Sequence, residues 1–446
     1  MINRREFTIG SAGAIAALAT GSDASASVVA NGKVPVSTCL SSELAERYGA
    51  VPPDVLADDE PFWARVRSGY TLHPTVLNLD NGWTNPTPQA SIDKLISGMK
   101  DLEALPAEHL LRMWEEVTTT TFRTALAEIM GVPGSEIALV RNATEALDTV
   151  LLGLPMEAGD EVVCSTHDYY AMLDALEQRR DRDGVVLRMI SLPAPAPSLD
   201  ALAEAYEAAM GPRTKLVLLT HPSNLTGQLL PVERIADAAR RVGAEVVVDG
   251  AQSLGLLDAA VPSLGCDYYG ASTHKWLGTP VGTGVLWMRP AHVGKVWPLV
   301  PPGPSATGMG RFEWIGTAPA YIEPAALPAL ALHRSLGAAR KAARLRYLAA
   351  HLRTRVAQSM PDARFLTLAD TELSVGLTTI QLPNVDPSAL QTHLRNGHNI
   401  LTQAMVDNAR APEVAGLRVS PNVYNTPTEL NRLVDAMTSY VRSSAR

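Results

Sequence analysis

Two uninterrupted runs of β-favouring apolar residues constrain this chain most: Lys215-Leu216-Val217-Leu218-Leu219-Thr220 and Glu245-Val246-Val247-Val248. Runs without polar alternation belong to strands covered on both faces, as in a parallel sheet. Between them Ile235, Ala238, Ala239 and Val242 recur at helical spacing on one stripe. The same alternation occurs upstream. A strand pattern at 137–140 is followed by a helix from Thr144, and one at 161–164 by a helix over 171–179. Strand–helix–strand alternation of this kind predicts an α/β fold with a doubly wound, mostly parallel sheet.

Past about residue 320 the pattern changes to Ala/Leu/Arg-rich helix, a strand-like 377–382 and a terminal helix near 427–441. That change predicts a smaller C-terminal α+β domain over 320–446, after a large domain over 90–319 and an N-terminal segment over 27–89. With 46% hydrophobic and 19% charged residues the composition is that of a globular chain. The net charge of −8 argues against a nucleic-acid partner. Cys39, Cys164 and Cys266 include no C-x-x-C pair, which excludes a zinc ribbon or a disulfide scaffold. They read best as core residues, with a Cys164–Cys266 pair as the alternative.

Residues 1–26 look like an address. Arg4-Arg5-Glu6-Phe7 precedes a short apolar stretch and an Ala24-Ser25-Ala26 cleavage pattern. This resembles a twin-arginine export signal, although Thr8 and Ile9 stand where Leu-Lys is usual. The plain alternative is a frayed basic terminus. Export implies a bacterial periplasmic protein. No segment is long and apolar enough for a membrane span.

Chemistry-bearing residues follow the apolar runs, where open α/β sheets bind their ligands. Val248 leads into Asp249-Gly250-Ala251-Gln252, Leu219 into Thr220-His221-Pro222-Ser223-Asn224, and Val140 into Arg141-Asn142-Ala143-Thr144-Glu145. Further on, Ser272-Thr273-His274-Lys275-Trp276 precedes a glycine-rich run from Gly278 to Gly284.

At Asn142-Ala143-Thr144-Glu145-Ala146, Asp249-Gly250-Ala251-Gln252 and Ser272-Thr273-His274-Lys275 the chain resembles the class V, fold-type I pyridoxal phosphate (PLP) enzymes. Within them it is most similar to the isopenicillin N epimerase-like aminotransferase branch. Leu417-Arg418-Val419-Ser420-Pro421 and Tyr424-Asn425-Thr426 continue the likeness, which runs from about Leu77 to the C-terminus.

The resemblance implies a role for each residue. Lys275 carries the cofactor as an internal aldimine and then shuttles the α-proton. Asp249 pairs with the pyridinium nitrogen and keeps it protonated. Ala143 and Thr144 open a helix and hold the phosphate, with Ser272 and His274 as side-chain donors. A simple N-cap at Thr144 and a structural His274 are the plain alternatives. Asn224 and Gln252 bond the ring oxygen. His167 or Tyr169 stacks on the ring, with His167 ranked slightly ahead. Arg418 receives the substrate carboxylate. Trp83 lines the substrate pocket or anchors a core. Ile315-Gly316-Thr317 resembles the loop that reaches the phosphate of a neighbouring subunit, which implies a homodimer, with a plain glycine turn as the alternative.

The implied reaction is transamination or epimerisation at the α-carbon of an amino acid or amino-acid-derived small molecule, with a peptide-like metabolite as an analogy. A C–S or C–N lyase is the alternative within the same chemistry. An inactive PLP-binding sensor or scaffold is the alternative outside it. Cysteine desulfurases carry a nucleophilic cysteine shortly before the carboxylate-binding arginine. No cysteine lies between Cys266 and Arg418 here, which argues against persulfide chemistry.

Overall fold

The structure, a computed structural model, describes residues 36–111, 121–303, 306–368, 373–406 and 408–444. The export-signal reading of residues 1–26 lies outside them.

The described chain enters through α1 (Val36–Tyr48) and α2 (Glu60–Arg67), a two-residue strand β1 (Leu77–Asn78), α3 (Gln89–Ala104) and α4 (Thr121–Met130). A seven-stranded sheet follows: β2 (Ile137–Val140), β3 (Glu161–Ser165), β4 (Val186–Ile190), β5 (Thr214–Thr220), β6 (Glu245–Asp249), β7 (Tyr268–Ser272) and β8 (Gly284–Met288). Its spatial order is β2-β8-β7-β6-β5-β3-β4, and β8 alone runs antiparallel to its two neighbours. Helices α5 (Ala143–Gly153), α6 (Tyr170–Asp183), α7 (Leu199–Ala209) and α8 (Val232–Val242) follow β2, β3, β4 and β5.

The β-runs are buried on both sides because alternate residues feed two cores. Val217, Leu219, Val246 and Val248 pack in one cluster, and Leu216, Leu218 and Val247 in the other. α8 returns the chain between them. Its apolar stripe (Ile235, Ala238, Ala239) is buried, and Gly243 ends it with φ +78°, a left-handed cap that costs glycine no Cβ clash. Cys164 and Cys266 are buried and free, one in each cluster. The sheet lies between them, so the alternative of a Cys164–Cys266 pair is corrected.

The C-terminal part comprises α9 (Ile322–Leu336), α10 (Ala338–Ser359), β9 (Arg364–Phe365), β10 (Thr378–Gln381), α11 (Pro387–His398), β11 (Ile400–Leu401), β12 (Gln403–Met405), β13 (Gly416–Val419) and α12 (Pro427–Ser444). Four of its strands form an antiparallel sheet in the order β12-β13-β10-β9. The segment before the large sheet joins this part. β1 pairs in parallel with β11, and Leu77 and Leu79 share a core with Ile380, Ile400 and Leu417. Phe62 and Trp63 of α2 pack with Leu345, Leu377 and Trp276, the residue after Lys275.

Candidate active site

The carboxyl ends of β3, β5, β6 and β7 deliver polar residues to one cavity of about 640 Å³. Lys275, Asn224, Gln252, Tyr169, Trp83 and Arg418 line it together with Asp168, Gly82 and residues 403–406 and 408–410.

Lys275 follows β7 and is half-buried. Burial of its amine, with Arg418 adding to the effect against Asp249 and Asp80, lowers its pKa to about 8. Its flank is held from two directions. Trp276 donates its indole N–H to Gln252 Oε1 at 2.8 Å, and the buried Lys341 of α10 donates to the Trp276 carbonyl. Gln252 Nε2 donates to the Gly82 carbonyl at 2.7 Å, which leaves one of its N–H groups spare beside the cavity.

Asp249 ends β6, fully within the core. Its Oδ1 accepts the Ala251 N–H at 3.0 Å, while burial raises its pKa against the pull of the nearby Lys275. Gly250 follows because a Cβ there would sit 2.0 Å from the Tyr269 ring. Asp168, which the sequence did not single out, is buried as well. It ties the ends of β3 and β5 together by accepting the Ser165 and Thr220 N–H groups at 2.7 and 2.8 Å, and burial raises its pKa to about 6.

Arg418 of β13 is buried beside a partner the sequence reading also missed. Its Nη2 bonds Asp80 Oδ1 at 2.8 Å and its Nη1 bonds the Asn224 carbonyl at 2.8 Å, while its buried Nε has no partner. Asn224 Oδ1 is likewise buried without a partner. Asp80 lies three residues before Trp83, and that nearness was the only signal for it.

Tyr169 lines the cavity, whereas His167 is not among its lining residues. His167 Nε2 lies 2.9 Å from Glu413 Oε1, and its backbone N–H is taken by Ser165 Oγ. The geometry therefore reverses the order in which sequence ranked the two aromatics. Trp83 is 67% exposed at the cavity mouth, which excludes the core-anchor alternative.

Asp249, at the end of β6, stands outside this lining, as do Ala143 and Thr144 at the start of α5 and Ser272 and His274 at and just past the end of β7. The Ala143 N–H donates to Ser272 Oγ at 2.9 Å, which joins the helix start to the strand end. Asn142, and not Thr144, caps the helix, accepting the Glu145 N–H at 2.9 Å. Thr144 is left exposed at a helix N-terminus, where anions are favoured. His274 Nδ1 lies 3.3 Å from the Thr283 carbonyl oxygen, and burial next to Lys275 lowers its pKa. Thr317 lines a second cavity of about 300 Å³ with Arg141 and Glu145, so it does not meet Lys275 within this chain.

An aldehyde-bearing pyridine phosphate fits this donor set. It would find a readily deprotonated amine, a buried carboxylate, an unpartnered amide oxygen with a spare amide N–H, and an open helix start. The chain belongs to the aminotransferase class V family, whose profile matches residues 77–433, and PLP is the cofactor of that family. Among its relatives it is 32% identical to the isopenicillin N epimerase of Streptomyces clavuligerus, over 84% of this chain and 97% of that protein. It is 33% identical to the enzyme of the same name from Amycolatopsis lactamdurans, over 84% and 98%. A probable cysteine desulfurase of Vibrio cholerae is 29% identical over 81% and 93%. The solved cysteine desulfurase CsdA from Escherichia coli shares the fold, with a TM-score of 0.73 at 22% identity over 85% of this chain and 98% of that one.

Proposed function

We propose that the chain is a PLP-dependent enzyme that moves a proton at the α-carbon of an amino acid or amino-acid-derived metabolite, by epimerisation or transamination. The observation that carries this reading is a cavity lined by an amine of pKa about 8 and a buried guanidinium whose Nε is unpartnered, with the buried Asp249 carboxylate outside the lining but close enough to Lys275 to act on its charge. When bound, PLP supplies an aldehyde that captures amines and an electron-poor ring that acidifies the carbon beside the captured nitrogen. Lys275 Nζ would take the proton from Cα on the face it meets and hold it for return to carbon, and epimerisation requires that the return reach the opposite face. Asp249 would hold a negative charge against the ring nitrogen. Arg418 receives the substrate α-carboxylate on its free Nε edge. Tyr169 would stack on the ring, Gln252 and Asn224 would hold its oxygen, and the start of α5 with Thr144, Ser272 and His274 would hold the phosphate.

The decisive experiment screens amino donors against the yellow holoenzyme while following the cofactor spectrum. Conversion to the amine form identifies a transaminase, and solvent deuterium entering Cα without that conversion identifies an epimerase. If neither occurs with any amino acid, the reading fails. A C–S lyase is the second reading, favoured by the relatives named cysteine desulfurase. Release of sulfide, ammonia and pyruvate from cysteine would select it.

Two further parts of the reading concern the whole assembly. Thr317 completes the phosphate site of a neighbouring copy, which makes the working unit a homodimer. Residues 1–26 direct export to the periplasm, so mature protein should begin near Ser27 in periplasmic fractions. A full-length cytosolic chain as the sole product would reject that.

A further inference from the structure

The mouth of the Lys275 cavity is larger and differently made than a free small amino acid requires. Its volume of about 640 Å³ falls within the range of about 300–1,000 Å³ typical of sites that enclose drug-sized ligands. Two large aromatic side chains stand at its opening with most of their surface bare, Trp83 at 67% and Tyr170 at 61% exposure. Tyr170 lies against Tyr169, ring centroids 4.6 Å apart, so the aromatic surface continues inward. Bare aromatic surface at the rim of a cavity marks a place where a ligand gains contact.

Charge narrows the ligand further. Among the described lining residues the charged side chains are Asp168, Lys275, Arg418 and Arg410. The first three belong to the inner site. Arg410, in the outer wall, is held by Asp174 at 2.6 Å and by Glu177 at 2.9 Å, and Glu177 also lies 4.0 Å from Arg180. An incoming carboxylate would therefore find that guanidinium already paired with two carboxylates. The other described residues of that wall are uncharged: Leu225, Met405, Val406 and Val414, with the Asn408 amide among them.

We propose that the site takes an α-amino acid whose side chain is long and ends in an uncharged, aromatic-bearing group, seated between Trp83 and Tyr170. This rests on the α-carbon reading above and adds the class of substrate. The test uses the holoenzyme and three racemic probes: alanine, Nε-benzoyl-lysine and Nε-succinyl-lysine. The concentration that half-saturates the change in cofactor absorbance is measured for each. The benzoyl compound is expected to half-saturate at least tenfold below alanine, and the succinyl compound, with its distal carboxylate, no lower than alanine. Trp83→Ala combined with Tyr170→Ala should shrink the benzoyl-to-alanine preference below threefold. Equal half-saturation by alanine and the benzoyl compound, a preference for the succinyl compound, or a preference that survives the double substitution would each overturn the proposal. Silence toward all three probes, with cofactor still bound at Lys275, would instead overturn the α-carbon reading itself.

Discussion

An amine buried beside a guanidinium gives up its proton easily, and that is the property a residue in the place of Lys275 needs. At a pKa of about 8 roughly 10% of it is neutral at pH 7, against about 0.03% for an ordinary lysine. Cofactor uptake by the apoenzyme is therefore expected to accelerate with pH, with a midpoint near 8. A flat rate between pH 6.5 and 9 would contradict this. Asp249 shows the opposite side of the same physics. Burial raises its pKa, so the folded state holds its proton more tightly than the unfolded chain does, and stability falls as pH rises through that window. Asp249→Asn should consequently raise the thermal midpoint of the cofactor-free protein at pH 7 while lowering turnover at least a hundredfold, as differential scanning fluorimetry and rate assays would register. The Arg418–Asp80 pair adds a coupled expectation. Removing one partner of a buried pair typically costs about 3–5 kcal/mol, because the other charge is stranded. Arg418→Gln should destabilise, and adding Asp80→Asn should recover part of the loss in urea melts while KM for carboxylate substrates stays high. Independent, additive effects of the two substitutions would refute the pairing.

At the scale of elements, the site exists because strand ends are tied to each other. Asp168 joins β3 to β5 through two backbone N–H groups. Asp168→Ala leaves both donors buried and unmet, at a cost of about 1–3 kcal/mol for each such group. Urea denaturation should show a loss of at least 2 kcal/mol, and a loss below 0.5 kcal/mol would dismiss the tie. Elements of this kind differ in how plainly sequence shows them. β5 and β6 were legible because burial on both faces demands unbroken apolar runs, and α8 because one apolar stripe faces the sheet. β8 was not recognised. It begins at Gly284 straight after a glycine-rich turn, and a Cβ at that position would lie 2.6 Å from the Asn142 backbone. Packing, and not strand propensity, chose the residue there. Asp80 and Asp168 were invisible for a related reason: a single carboxylate acquires its role only from partners brought to it by the fold. The aromatic pair at 167 and 169 was legible as a pair. Which one faces the cavity depended on Glu413, far along the chain, taking His167.

The molecule as a whole uses its first helices as part of the site's foundation. Phe62 and Trp63 are buried against Trp276, Leu345 and Leu377, while Leu77 and Leu79 complete the C-terminal core. A chain beginning at residue 77 would bare this surface, and it should be recovered as aggregate or bind no cofactor. A soluble, yellow truncated protein would show the segment to be dispensable. Everything above converges on one covalent site. Borohydride reduction of the holoenzyme followed by peptide mapping should place the reduced cofactor on the peptide containing Lys275, with Lys275→Ala protein left unlabelled. Label on a different lysine, or a wild-type protein that takes up no PLP at all, would contradict the account.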